Sequence, residues 1–220
     1  MIPLRDASRR PVHFPKFTVL IIGINVVVFI LELFGGTDFI MRWALIPADV
    51  LAGHHWITIL TSMFLHGSLL HVAGNMWFLW VFGSEIEDVM SSGRYPAFYL
   101  LGGLVAMIAQ MIIGPSSKVP NLGASGAIAA VMGVFLITYP RDRIRTLFFI
   151  VFFVRIISIP AAFLVGLWFL IQVFNQVGAL AQTETGGVAY MAHISGFIFG
   201  MVFGRFFEDR GPLAQKRLEV

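Results

Sequence analysis

The chain has 220 residues, of which 58% are hydrophobic and only 12% charged, with 15 Lys and Arg against 12 Asp and Glu. Soluble domains average about 25% charged and 45–50% apolar residues, so this composition, with a mean hydropathy of +0.85, excludes an ordinary soluble globule and points to a membrane protein. No cysteine is present, which excludes disulfides, thiolate metal sites, iron–sulfur clusters and a cysteine nucleophile. Any nucleophile must be an oxygen or an amine.

A helix crossing the bilayer needs roughly 20 mostly apolar residues, and apolar runs separated by charged or Pro/Gly-rich breaks predict six. The first is Phe17 to Phe34. The second runs from about Leu69 to Val89 and the third from Tyr95 to Ile113, divided by Ser91-Ser92-Gly93-Arg94. The fourth, Ala124 to Tyr139, follows a connection bracketed by Pro115 and Pro120. The fifth is about Ile159 to Val177 and the sixth Gly187 to Phe207. Thr146 to Ser158 is apolar but short and carries Arg155, so it is expected to lie along the membrane surface. The expected division is an N-terminal cytoplasmic segment 1–16, a transmembrane domain 17–207 and a cytoplasmic tail 208–220. The first run has no small-x-small cleavage pattern after it and reads as a retained span, not a signal peptide.

Counting Lys and Arg on alternate sides of these spans puts thirteen on one side and only Arg42 and Lys118 on the other. By the positive-inside rule both termini are cytoplasmic. The pI near 9.6 then reflects topology and contact with membrane lipid, and no nucleic-acid partner is expected.

Polar residues inside spans are costly and mark candidate function. At 1.5 Å per helical residue, Ser125 lies about 24 Å above the cytoplasmic end of its span, His193 about 18 Å, His71 about 26 Å and Asn75 about 20 Å. All four share one slab toward the outer face. His71 and Asn75 are four apart on one helix face. His193 shares a face with Gly196, Gly200 and Gly204, and span 4 offers Gly126, Ala129, Ala130 and Gly133, small residues that let backbones approach. Such packing would bring His193 to Ser125, at the start of span 4. A serine at a helix N-terminus is commonly a cap. With a histidine, two side-chain donors and free helix-start amides at its level, it also has the parts of an activated nucleophile with an oxyanion site. No carboxylate lies at that depth, so a Ser–His dyad is expected, the third role being absent or met by packing and backbone contacts.

These residues resemble the rhomboid family of intramembrane serine proteases over about residues 55 to 205. The resemblance is carried by Thr61-Ser62-Met63-Phe64-Leu65-His66 leading into His71-Val72-Ala73-Gly74-Asn75, by Gly83 through Glu87-Asp88, by Gly123-Ala124-Ser125-Gly126, and by Ala192-His193-Ile194-Ser195-Gly196. It implies an all-α membrane protein, a six-transmembrane-helix rhomboid-like bundle, acting as a serine endopeptidase on transmembrane segments of other proteins, without metal or cofactor. Ser125 would be nucleophile and His193 general base; His71, Asn75 and the Ser125 amide would form the oxyanion hole. Glu87 and His66 would be structural, as would the glycines at 123, 126, 196 and 200. Spans 2 and 5 would flank a substrate gate, and the connection from Gln176 to Gly186 would cap the site. The compact form suggests a prokaryotic inner membrane.

Two departures stand out. Trp56 is followed by Ile57-Thr58 where the family usually has Trp-Arg. Ala129 stands one turn after the serine, where many members place an aromatic residue against the histidine. Glu85 is expected at the interface, exposed. His54 and His55 lack a third ligand for a metal, and no H-E-x-x-H or G-x-G-D occurs. The remaining rivals are an inactive rhomboid-like adaptor, which would normally lack the serine or the histidine, and a transporter, for which no internal repeat is visible.

Overall fold

The computed structural model describes residues 1–150, 153–180 and 189–209. Helix α1 (Lys16–Trp43) bends at Gly36, whose φ of 61° interrupts the helical path. Two short helices, α2 (Pro47–Leu51) and α3 (Thr58–Thr61), lead to α4 (Leu69–Phe78), which Ser68 caps by accepting the His71 amide. A π turn over Leu79–Gly83 joins α4 to α5 (Ser84–Ile113). The core helix α6 (Ser125–Thr138) precedes α7 (Ala161–Leu180) and α8 (Tyr190–Phe207).

Among the described residues, four stretches are long and apolar enough to cross a membrane: Lys16–Trp43, Gly93–Ile113, Ala161–Gly178 and Tyr190–Phe207. Helix α6 is apolar but shorter. The break expected at Ser91-Ser92-Gly93-Arg94 is not a loop, since helix continues through it. The path nevertheless doubles back. Tyr95 places its hydroxyl 2.6 Å from where a Cβ on Gly83 would sit, although twelve residues of straight helix would separate them by about 18 Å. The chain therefore turns back on itself between Gly83 and Tyr95. Gly187 and residues 210–220 of the predicted tail lie outside the described residues. Glu208 and Asp209 are fastened to the body: Glu208 accepts from the Thr138 hydroxyl, and the Asp209 amide donates to the Val89 carbonyl.

One expectation is corrected outright. The molecule is mostly helical, but the segment expected along the membrane surface falls in two paired strands, β2 (Arg143–Ile150) and β3 (Phe153–Pro160), joined by β1 (Ile2–Asp6) in an antiparallel sheet of order β1-β2-β3. The Phe, Val and Ile content of the hairpin favours strands. Its third partner comes from the chain's N-terminus, which a local reading does not supply. Glu85 is the second correction. It is only 6% exposed, because the N-terminal segment folds over its face, and Leu4, Arg9 and Phe14 line a cavity with it.

The core is the contact between α6 and α8. A Cβ on Gly196 would come 2.1 Å from the Gly126 carbonyl oxygen, one on Gly200 2.0 Å from that of Ala130, and one on Gly204 2.3 Å from the Val134 side chain. The constant offset of 70 residues in these pairs means two parallel helices packed backbone to backbone. Gly133 meets the Phe197 carbonyl in the same way, at 2.1 Å. Helix α5 closes the other side of α6, where Gly102 faces Ala130 and Gly103 faces Ala127. Glu87 fixes the first helix by accepting the Phe17 and Thr18 amides at 2.9 and 2.7 Å, two donors that α1 leaves without intrahelical partners.

Substituting Gly200→Val should destabilise the protein by more than the about 1–3 kcal/mol typical of overpacking, since the obstacle is backbone. Gly166→Ala, where no atom of the described residues lies within 4 Å, should change it by no more than about 1 kcal/mol; thermal unfolding of the two variants in detergent checks the contrast. Asp6 is buried, which with neighbouring Asp142 pushes its carboxyl up to about 6 despite the Ser8 amide it accepts. A raised carboxyl stabilises fully only below its unfolded value near 3.8 and loses that contribution as pH rises through 6. Asp6→Asn should therefore stabilise the fold relative to wild type above pH 6, the difference vanishing toward pH 4 in a pH series of unfolding midpoints.

Candidate active site

Ser125 is the first residue of α6, with Ala124 and not the serine at the cap position. Instead Oγ lies 2.7 Å from His193 Nε2. His193 is 8% exposed, one turn before Gly196 on α8, so the Gly126–Gly196 contact delivers its ring to the start of α6.

The far side of the ring has a partner that the sequence reading missed. His193 Nδ1 is 2.8 Å from Gln172 Oε1, on α7. The Gln172 amide nitrogen donates to the Trp168 carbonyl at 3.3 Å, which fixes the amide's orientation and leaves its oxygen for the imidazole. An amide oxygen can only accept, so Nδ1 carries the proton and Nε2 is left to accept from the Ser125 hydroxyl. The third position is thus held by a neutral carboxamide. Trp168 lies against the ring as well, with centroids 5.7 Å apart at 36°. It supplies from α7 the aromatic surface that Ala129, fully buried on α6, does not. Gln172 lies within the fifth predicted span, but its register to His193 is not legible in the sequence, since α7 and α8 are joined through residues with no periodic pattern.

Gly123 has a φ of 125°, a backbone state that suits glycine. A Cβ there would fall 2.9 Å from His71 Nε2 and 3.6 Å from Ser125 Oγ. His71 and Ser125 therefore converge over the bare face of Gly123, whose amide donates to the Ser62 carbonyl at 2.9 Å. Asn75 is buried one turn along α4, with Nδ2 2.9 Å from His66 Nε2. His66 also meets His71 edge-on at 5.0 Å, and its backbone amide donates to Glu32 of α1 at 2.8 Å. His66 thus ties Asn75 and His71 into one layer above the bundle. Gln110 of α5 accepts the Ala192 amide at 3.2 Å and holds the first turn of α8.

Gly126, Gly196 and Gly200 lie in the helix contact already described, and Glu87 sits at the opposite end of the bundle, against the start of α1. Within the predicted cap, Gln176 is buried and residues 181–186 lie outside the described residues. Among the described residues, no group of three or more His, Asp or Glu is placed to hold a metal ion.

A serine hydroxyl against a tautomer-fixed histidine, beside a second histidine and an asparagine, is an arrangement for acyl transfer. The sequence of residues 53–210 matches the rhomboid domain. This chain belongs to the rhomboid family. Rhomboid protease GluP of Bacillus subtilis is 32% identical over 133 residues, covering 59% of this chain and 26% of that protein. The mitochondrial presenilin-associated rhomboid-like protein of Mus musculus is 29% identical over 170 residues, covering 71% and 41%. Mitochondrial rhomboid protein 1 of Saccharomyces cerevisiae is 27% identical over 210 residues, covering 87% and 56%. The chain therefore spans between about a quarter and just over half of the length of these relatives.

Gln172→Leu removes the acceptor on Nδ1 while keeping the side chain's bulk. At about 0.5–1.5 kcal/mol per hydrogen bond, it should slow covalent labelling of Ser125 by a fluorophosphonate roughly two- to tenfold. Gln172→Glu, which can still accept, should retain labelling; mass spectrometry of the adduct follows both.

Proposed function

We propose that this rhomboid is an active intramembrane serine endopeptidase, cleaving transmembrane segments of other membrane proteins through Ser125 and His193. The observation that carries this reading is the 2.7 Å contact between Ser125 Oγ and His193 Nε2, on a ring whose other nitrogen is engaged by Gln172. His193 accepts the Ser125 proton as Oγ attacks the scissile carbonyl. The tetrahedral oxyanion is held by His71, by the second Asn75 amide proton not given to His66, and by the free amide of Ser125 at the positive end of α6. Protonated His193 returns the proton to the leaving amine, and water then hydrolyses the acyl-enzyme with His193 again as base.

An inactive adaptor would have no need of these groups in hydrogen-bonding contact. A six-span arrangement agrees with the doubled-back path between Gly83 and Tyr95 and with the short apolar α6 packed inside the bundle. The basic residues support cytoplasmic or equivalent placement of the termini, with Ser125 toward the opposite face. The relatives' names include a bacterial and several mitochondrial proteins, so the proposal concerns orientation across the membrane and leaves the compartment open. Substrate entry between the α4–α5 limb and α7, at the level of Ser125, is part of the same reading.

Purified protein in liposomes with a transmembrane substrate tests it. Ser125→Ala and His193→Ala should abolish cleavage, and Asn75→Ala should reduce kcat about 10²–10³-fold, as loss of one oxyanion donor does. Full cleavage by Ser125→Ala would overturn the assignment.

A further inference from the structure

At the opposite end of the molecule from Ser125, two adjoining cavities open under the N-terminal segment. One, of about 460 Å³, has an apolar wall of Leu4, Phe14, Trp80 and Val81. The other, of about 240 Å³, is lined by Arg5, Asp6, Ala7, Ser8, Arg9, Arg10 and Arg145. They share Arg5, Asp6, Arg9 and Arg10, so a single ligand can occupy both.

The charges are arranged at a cost. Arg5 and Arg145 are directly opposite each other in the β1–β2 ladder, and like charges facing across strands destabilise a sheet. Both are exposed, as is Arg10. Arg9 is already committed: it is paired with Asp142, and its guanidinium sits 3.8 Å above the Tyr139 ring. Of the acids lining these cavities, Asp6 points to the buried side of the sheet, where it accepts the Ser8 amide, and Glu85, in the first turn of α5, is buried. Neither neutralises the Arg5–Arg145 pair. A shared anion would turn the repulsion into two charge-assisted contacts.

We infer that Arg5 and Arg145, with Arg10, form a binding site for a phosphate-bearing anion, the opposed pair being bridged by the phosphate. The headgroup of an acidic phospholipid and a free phosphate share this chemistry. The adjoining apolar groove beside Trp80, which is 48% exposed, favours the lipid, its headgroup on the arginines and its glycerol and upper acyl carbons along Leu4, Trp80 and Val81. Basic pockets beside membrane helices take anionic headgroups on the same electrostatic ground.

Native mass spectrometry of the full chain, released from nanodiscs containing phosphatidylglycerol and phosphatidylcholine, reads the site directly. Wild type should carry phosphatidylglycerol in preference to phosphatidylcholine. Arg5→Gln with Arg145→Gln should lower that retention by at least roughly tenfold, on the scale of about 1 kcal/mol per basic residue at an anionic surface. Arg141→Gln with Arg155→Gln removes the same charge outside the cavities and should leave retention intact. Arg10→Gln, away from the sheet, provides a weaker version of the loss should the first pair fail to fold. Trp80→Ala should lower phospholipid retention while leaving displacement by inorganic phosphate unchanged if the source is lipid. An unaltered Trp80→Ala variant, with inorganic phosphate competing fully, would assign the same site to free phosphate. Equal loss in both double variants, or no loss with Arg5→Gln and Arg145→Gln, would overturn the inference.

Discussion

Everything at the reactive end depends on two helix backbones in contact. Helices α6 and α8 touch where Gly126, Gly196 and Gly200 present no side chain, and the carbonyls of Gly126 and Ala130 occupy the space. Without a hydrophobic force between helices in lipid, such close packing is a main source of association. It also sets a distance. At ordinary helix separations of 8–10 Å a histidine on one helix would reach a serine on the next only by chance of rotamer. Here the fixed 70-residue register carries His193 to the first turn of α6, with the ring already buried. Stability and the placement of His193 therefore share one set of residues, and a bulkier residue at any of these glycines would move the His193 ring away from Ser125.

Around that contact, other elements act as clamps. Gln110 holds the first turn of α8 and Gln172 the outer nitrogen of His193. His66 holds Asn75, and Glu32 holds the His66 backbone. The clamps come from α1, α5, α7 and the connection before α4, so the site is assembled only when these and the helices they hold, α4 and α8, are all in place. Buried polar groups in a low-dielectric interior are costly when left unpaired, and pairing them across helices makes that cost enforce the tertiary arrangement. Burial of Gln172 is a case in point: its amide is satisfied by Trp168 on one side and His193 on the other.

What the sequence made legible was periodic or local. The small residues at spacings of four on α6 and α8, the pairing of His71 with Asn75, and the Gly-Ala-Ser-Gly start of α6 each follow from one helix considered alone. What it did not reveal joins segments distant in the chain: the pairing of Ile2–Asp6 with Arg143–Ile150, the cover over Glu85, and the contact of Gln172 with His193. The hairpin was misread because an apolar run of its length fits a surface segment or a strand equally well until its partner is known. The third position of the site was sought among carboxylates, whereas a carboxamide suffices to fix a tautomer.

That substitution has a chemical consequence. A carboxylate behind the imidazole would stabilise the imidazolium formed as Ser125 loses its proton, by charge as well as by orientation. Gln172 offers orientation and a dipole only. Bringing a buried carboxylate into this apolar bundle would carry a desolvation penalty of several kcal/mol, whereas a carboxamide with both ends bonded incurs little. On the proposed mechanism the site therefore trades some stabilisation of a charged His193 for a ground state that the membrane interior can hold. On the same mechanism the burden of stabilising the transition state shifts to the oxyanion side, where His71 and the start of α6 converge around Gly123 and Asn75 lies one turn along α4 from His71.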